Sequence, residues 1–286
     1  MKKVTIGVIY SGNTFGKDEK IFMKLAKKKK INLVMINISK KIDAEEIEEK
    51  VKRCQIVYNN TAEDFSIEIA KTIEALGKKV IDSPEAYYFT EDKWIFFVKC
   101  KEHGIPTPET ILLSENVSIA KKELKDFEHW PVILKRICGT MGEYVDMAKN
   151  INDAEKIILR FWEKGNEKLP IIAQEFIESP SYRVTLIGDK VVQTALKSCK
   201  SNWKATGVYG EKFGKFDIDD ELEKILKKVM KMVNINICGV DLLKKDGKWT
   251  VLEVNSEPGL DFFEDEREKL IEETLDLLIR KAKKVL

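Results

Sequence analysis

The first 81 residues alternate between short apolar runs and longer amphipathic stretches, and few folds accommodate that rhythm. Residues 4–10, 33–38, 56–59 and 79–81 are strand-length and largely apolar, whereas residues 18–29, 43–53 and 62–76 carry helical spacing. Strands buried on both faces need near-continuous apolar runs, and helices between them supply the crossovers of a parallel sheet. The helix ends are marked too. A Lys tract at 27–30 suits a C-terminal dipole, Asp43 with Glu46 has capping-box spacing, and Gly77 closes the third helix. These signals predict a small, doubly wound α/β domain over residues 1–84.

From residue 85 the texture changes to α+β. Residues 85–103 predict one helix stopped by Gly104, and Ile105-Pro106-Thr107-Pro108 forms a rigid connector. Strands at 110–113, 132–136, 143–147 and 171–177 alternate with helices at 118–127 and 153–162, giving a central unit over 85–177. A third unit, 178–286, opens with a hairpin whose strands, 182–187 and 190–196, flank Gly188-Asp189. Next comes a helix at 219–233 with Leu222, Ile225, Leu226, Val229 and Val233 on one face. A second hairpin, 240–255, turns at Asp246-Gly247, and an amphipathic helix at 266–286 closes the chain.

Composition excludes several classes of function. The longest apolar runs among the 286 residues fall far short of the ~20 needed to cross a bilayer. Residues 1–9 are too short for a secretory leader, so a cytoplasmic protein without membrane association is expected. Fifty basic residues against 48 acidic ones give a net charge of +2 and no global pull toward nucleic acid. Only six basic residues are Arg, so each Arg is informative, while the 44 Lys suit either an ion-pair surface or a biased genome. Five singly spaced cysteines argue against a disulfide framework or a zinc site. Two histidines are too few for a His cluster, and a His-based triad is nearly excluded.

The sharpest chemical signal is Gly239-Val240-Asp241 followed by Glu253-Val254-Asn255-Ser256-Glu257-Pro258-Gly259. Glu253 and Asn255 lie two apart and share one strand face. A two-residue turn in regular pairing would send Asp241 to the opposite face from Glu253, so an odd-length loop is expected. Two carboxylates and an amide oxygen form a hard-oxygen set suited to Mg²⁺ on nucleotide phosphates. A second cluster places Lys135 on a strand before Gly139, Thr140 and Gly142, where glycine backbone approaches phosphate closely. Gln174, Glu175, Phe176 and Ile177 end a buried strand at a position that could offer backbone groups to an adenine edge. The Gly12–Lys17 segment fails as a P-loop, since three residues separate its glycines and Asp18 follows the Lys.

These residues together resemble the ATP-grasp superfamily, and within it the RimK-like carboxylate–amine ligases. Asp92-Lys93 before Gly-Ile-Pro-x-Pro resembles the family's entry helix, and the Glu253-x-Asn255-x-x-Pro258-Gly259 run its magnesium motif. The resemblance implies an ATP-grasp fold with an N-terminal pre-ATP-grasp domain. It also implies ATP as cosubstrate and one or two Mg²⁺ ions, replaceable by Mn²⁺, on Asp241, Glu253 and Asn255. Lys93 and Lys135 would hold the α- and β-phosphates, Gly139, Thr140 and Gly142 cover them, and residues 174–177 seat adenine. Arg183, with Lys200 and Asn202, would stabilise the charge on the γ-phosphate or an acylphosphate. The family's ribose-binding acid has no counterpart, leaving Ser181 or Glu178 to serve. The Arg-Gly-Gly expected after Asn202 is replaced by Trp203-Lys204-Ala205-Thr206-Gly207, at the acceptor site.

The implied reaction joins a carboxylate of a small molecule, coenzyme or carrier protein to an amino-acid amine such as that of glutamate. Homo-oligomers are usual among similar proteins. Two other classes compete: an ATP-binding regulator that has lost the chemistry, and a nicotinamide-binding module suggested by the first domain. The latter lacks the G-x-G-x-x-G signature after the first strand.

Overall fold

A computed structural model describes residues 3–61, 63–139, 144–163, 168–198, 203, 212–260 and 262–285. The first sheet contains β1 (Thr5–Tyr10), β2 (Asn32–Asn37), β3 (Ile56–Asn59) and β4 (Lys79–Ile81). Its order is β2-β1-β3-β4 and every pairing is parallel, as the apolar runs predict. Helices α2 (Ala44–Val51) and α3 (Asp64–Ala75) bury Ile47, Val51, Ile69 and Ile73 against one face. Helix α1 (Lys17–Lys28) covers the other with Phe22 and Leu25, alongside α9 (Arg267–Lys283), the last helix of the chain. The closing helix thus returns to the first sheet, inserting Ile271, Leu275 and Leu278 into its core. Asp43 caps α2 through the Glu46 N–H at 2.9 Å, while the Glu46 carboxylate turns outward to Lys50. Half of the capping box forms.

The single helix expected at 85–103 is two, α4 (Pro84–Glu91) and α5 (Lys93–Glu102). Asp92 divides them by accepting the N–H groups of Trp94 at 3.0 Å and Ile95 at 2.9 Å. A short carboxylate side chain satisfies open helical donors better as a cap than within a helix. The break puts Lys93 at the start of α5, with its N–H on the Ile137 carbonyl at 3.0 Å.

The central sheet is antiparallel, in the order β5 (Thr110–Leu112), β8 (Ile171–Glu175), β6 (Val132–Arg136) and β7 (Val145–Ala148). Helices α6 (Val117–Phe127) and α7 (Ile151–Glu163) share its core. The C-terminal sheet runs β11 (Lys212–Gly214), β10 (Lys190–Ser198), β9 (Ser181–Ile187), β12 (Ile237–Lys245) and β13 (Lys248–Asn255). Helix α8 (Asp220–Val233), capped by Asp219, covers its apolar face with the five residues its periodicity singled out.

The β12–β13 connection corrects one expectation and preserves its consequence. Lys245 pairs with Lys248 across a two-residue turn, with Asp246 at φ 51° and Gly247 at φ 78°. The odd-length loop is absent. Instead Leu252 is an extra residue: Asp241 pairs with Glu253, but Leu242 pairs with Val251. This β-bulge shifts the strand by one position, so Val251 stays in the core while Glu253 joins Asp241 on the opposite face.

Candidate active site

The second face of the C-terminal sheet is polar and ordered by register. Arg183 on β9 lies directly across from Asp241 on β12, which lies across from Glu253 on β13. The Arg183 guanidinium grips both Asp241 oxygens, Nε to Oδ1 at 2.5 Å and Nη2 to Oδ2 at 2.7 Å. Lys197 on β10 adds its Nζ at 3.0 Å from Asp241 Oδ1, and Asn255 Nδ2 lies 3.3 Å from Oδ2. Burial alone would raise the Asp241 carboxyl, yet Arg183 and Lys197 overcome it and hold the acid down to about 2. It stays ionised at any ordinary pH. Phe262 closes the group, its ring centroid 5.7 Å from the Arg183 guanidinium and 5.5 Å from Lys197 Nζ.

Across the cleft, β6 carries Lys135, 8% exposed. Its Nζ donates to Gln174 Oε1 at 2.8 Å, and Gln174 Nε2 donates in turn to Thr110 Oγ1 at 3.0 Å. Burial pushes the Lys135 ammonium down to about 8, against the pull of Glu253 and Asp241 and with the repulsion of Lys93. Those charges act on one another across a single cleft. Lys93 Nζ reaches the Gly139 carbonyl at 3.0 Å, and Gly139, at φ 135°, holds a backbone that side-chain-bearing residues rarely adopt.

The structure brings together Asp241, Asn255, Glu253 and Arg183 on one sheet, and Lys93, Lys135, Gly139 and Gln174 on the opposing side. Ser181 is buried on β9 across from Lys197, on the same face as Arg183. The Glu175 carboxylate accepts the Glu109 N–H at 3.1 Å and pairs with Lys245 at 2.6 Å, so it ties the two sheets together. Phe176 and Ile177 follow at the end of β8. Thr140, Gly142, Lys200 and Asn202 lie outside the described residues.

Two residues of the Arg183–Asp241 group escaped the sequence reading. Lys197 looked like an ordinary strand end; its signal was the hairpin register, which places it on the Arg183 face. Gly239 looked like part of a motif, but its role is steric: a Cβ there would collide with Arg183 Nη1. The absent side chain lets the guanidinium lie flat on β12 toward Asp241.

The donor set fits a hard divalent cation. One permanently ionised carboxylate, a second carboxylate opposite it and the Asn255 amide could supply oxygen ligands, although Arg183 and Lys197 hold the Asp241 oxygens and Asn255 turns its amide nitrogen toward them. Among the described residues, no group of three or more His, Cys, Asp and Glu is placed to hold an ion. An ion here would take its remaining ligands from water or substrate oxygens, the usual habit of Mg²⁺.

A model of the RimK-like ATP-grasp domain matches residues 90–277. The chain belongs to the RimK-like ATP-grasp family. A "Probable alpha-L-glutamate ligase" of Haemophilus influenzae is 28% identical over 211 residues, covering 72% of this chain and 68% of that protein. A coenzyme gamma-F420-2:alpha-L-glutamate ligase of Methanococcus maripaludis is 27% identical over 204 residues, 68% of each chain. The fold matches that of a D-alanine–D-alanine ligase from Bacillus anthracis with a TM-score of 0.75 at 17% identity, covering 99% of this chain and 98% of the other. This RimK-like chain is therefore an ATP-grasp carboxylate–amine ligase, a family that uses ATP with a divalent metal. No helix among the described residues is long and apolar enough to cross a membrane.

Proposed function

We propose that the cleft between the central and C-terminal sheets binds ATP, and that the enzyme forms an amide through an acylphosphate. The observation that carries this proposal is Lys135. It is a buried ammonium paired with an amide rather than a carboxylate, within electrostatic reach of Glu253 and Asp241. Such a cation is suited to a phosphate.

Residues 174–177 seat the adenine, and Lys93 and Lys135 hold the α- and β-phosphates with the Gly139 backbone close by. Asp241, Glu253 and Asn255 would hold Mg²⁺, or Mn²⁺ in its place, and such an ion would neutralise charge on the phosphates. Arg183, kept rigid by Asp241, stabilises charge on the transferring phosphoryl group together with Lys200 and Asn202. Lys197 joins this set by the same contact. A carboxylate oxygen bonds to the γ-phosphorus while the bond to the ADP oxygen breaks. The amine nitrogen then bonds to the acyl carbon, phosphate leaves, and the amine gives up a proton. Positioning and charge account for most of the acceleration, because phosphoryl transfer asks little covalent chemistry of the protein.

The relatives' names make glutamate the amino acid to test first, with a small molecule, coenzyme or protein tail supplying the carboxylate. The test is ADP release from Mg-ATP across the amino acids, singly and in pairs, with Glu253→Gln as the blank. Release stimulated by particular amino acids in wild type alone is the expected result. Release of AMP overturns the acylphosphate route. ATP binding with no turnover on protein, coenzyme or metabolite carboxylates would favour a regulator over a ligase.

A further inference from the structure

The Lys tract at the end of α1 divides between two surfaces. Lys28 and Lys29 turn toward α9, where Glu272 and Asp276 receive them. Lys27 and Lys30 line a groove of about 630 Å³ at the outer edge of the first sheet. Lys3 and Arg53 also line it, and no Asp or Glu does. All four cations are exposed, and among the described residues none of them makes an ion pair. In a chain with 50 basic and 48 acidic residues, that is a marked local excess of positive charge. Arg53 is also one of only six arginines, and the steps above leave it unused.

The same groove borders an open strand edge. Strand β2 is outermost in its sheet, and its half-buried Leu33 and Val34 form part of the groove wall with Met23 and Ala26 of α1. The Asn32 N–H donates to the Val4 carbonyl at 2.9 Å, and the Ile38 N–H to that of Tyr10 at 3.0 Å. Even-numbered residues of β2 therefore turn their backbone groups to β1. Leu33 and Met35 turn theirs outward, and among the described residues nothing pairs with them. An open edge accepts an added strand through main-chain hydrogen bonds, whatever that strand's sequence. The charges select which strand. A second copy docked edge to edge would bring the same cations together, whereas an acidic segment is attracted to each of them. A membrane surface or a nucleic acid meets the charges but offers no strand to the edge.

We propose that this groove docks an extended, acidic segment of a partner protein, added as a fifth strand beside β2 with its carboxylates on Lys3, Lys27, Lys30 and Arg53. The groove lies at the starting ends of β1 and β2, marked by Lys3, Thr5 and Asn32. The finishing end of β3 instead turns toward the candidate active site, where the Thr61 N–H donates to Glu257, two residues beyond Asn255. The docked segment thus holds the enzyme by the far end of its first sheet and leaves the cleft open. The docking stands on the groove and the strand edge, and does not rest on the ligase function.

The test is fluorescence anisotropy of the full chain with a short labelled peptide of alternating Glu and Val, at low salt. The peptide binds, and its alternating Lys and Val counterpart does not. Lys27→Glu combined with Arg53→Glu weakens binding about tenfold or more. Lys122→Glu combined with Lys125→Glu removes the same charge from α6, and changes affinity by less than about twofold. Methylating alternate backbone nitrogens of the peptide separates strand addition from ion pairing without altering the protein. One alternate set weakens binding about tenfold and the other by less than about twofold, because only one set faces β2. Equal loss from both sets, an affinity untouched by the Lys27 and Arg53 reversal, or no peptide binding at all overturns the assignment. So does tighter binding of single-stranded RNA or anionic phospholipid vesicles that the same reversal removes, or a dimer of the chain that it dissociates.

Discussion

Two buried lysines reach the same cleft from different sheets under opposite electrostatic regimes. Lys197 sits 3.0 Å from Asp241, which also grips Arg183, and Glu253 lies across from Asp241. Two cations and two carboxylates therefore balance within the C-terminal sheet. Lys135 on the central sheet has an amide oxygen as its partner, and burial pulls its ammonium down to about 8. The contrast separates two uses of a buried charge. The C-terminal sheet compensates itself, which fixes geometry before any ligand arrives. The central sheet holds a cation left poorly compensated in the free protein, a cost that phosphate would relieve if it binds there as proposed.

That comparison predicts opposite responses to charge removal. Asp241→Leu strips Arg183 and Lys197 of their partner and is expected to lower stability by about 3–5 kcal/mol, measured by urea unfolding. Lys135→Met removes a poorly compensated charge while keeping the stem. Stability at pH 7 should hold or rise by up to about 3 kcal/mol, from a depression of 10.5 to about 8. Nucleotide affinity should fall about 100-fold in the same variant. Comparable destabilisation by both substitutions would erase the distinction.

The pH dependence sharpens it. Lys135 titrates near 10.5 when unfolded and at about 8 when folded. Below pH 8 both states are protonated and the folded state bears the full cost. Between 8 and 10.5 the folded state loses its proton first, so this group's contribution rises with pH and its cost is gone above that window. The wild-type deficit against Lys135→Met should therefore close across pH 8–10.5 in unfolding titrations. Bound phosphate pushes the ammonium back up, so nucleotide binding near pH 9 takes up close to one proton in wild type and none in the variant. Calorimetry in two buffers of different ionisation enthalpy reads that difference.

Gly239→Ala probes the balanced side more gently. The added methyl collides with Arg183, whose guanidinium is locked on Asp241, so it cannot move away freely. About 1–3 kcal/mol of stability should be lost by thermal unfolding, with turnover falling more than nucleotide affinity. An unchanged turnover would show that the Arg183–Asp241 geometry is not what organises the site.

The same contrast explains what was legible in the chain before its structure. Parallel strands buried on both faces write themselves as apolar runs, so β1 to β4 were readable. The metal-candidate pair Glu253 and Asn255 was readable because a period of two is enough to place them together. Placing Asp241 with them depends on a β-bulge at Leu252. The trace of it is a one-residue skip in the apolar period, from Trp249 and Val251 to Val254. The break at Asp92 was hidden because Glu91-Asp92-Lys93 also suits a solvent-facing helix surface. The return of α9 to the first sheet is a long-range packing choice that periodicity does not encode. Lys197 required the register of a hairpin, and Gly239 the path of another residue's side chain.

The smallest effect is expected where ion pairs are most numerous. The α1–α9 seam joins Lys24 to Glu268 at 2.9 Å and Lys29 to Asp276 at 2.8 Å, distances close to that of Lys197 and Asp241. The Lys24 and Glu268 side chains are 66% and 50% exposed, against 3% for Lys197 and 7% for Asp241. Water already solvates the exposed pair in either state, and holding two long side chains together costs rotamer freedom. Lys24→Ala should therefore change stability by under about 1 kcal/mol, shrinking further in 1 M salt, in the same urea assay as Asp241→Leu. A loss rivaling the Asp241 variant would mean that the Lys-rich surface acts as a cooperative network. The division between compensated core and solvated surface would then have to be redrawn around α9, which holds the first sheet to the end of the chain.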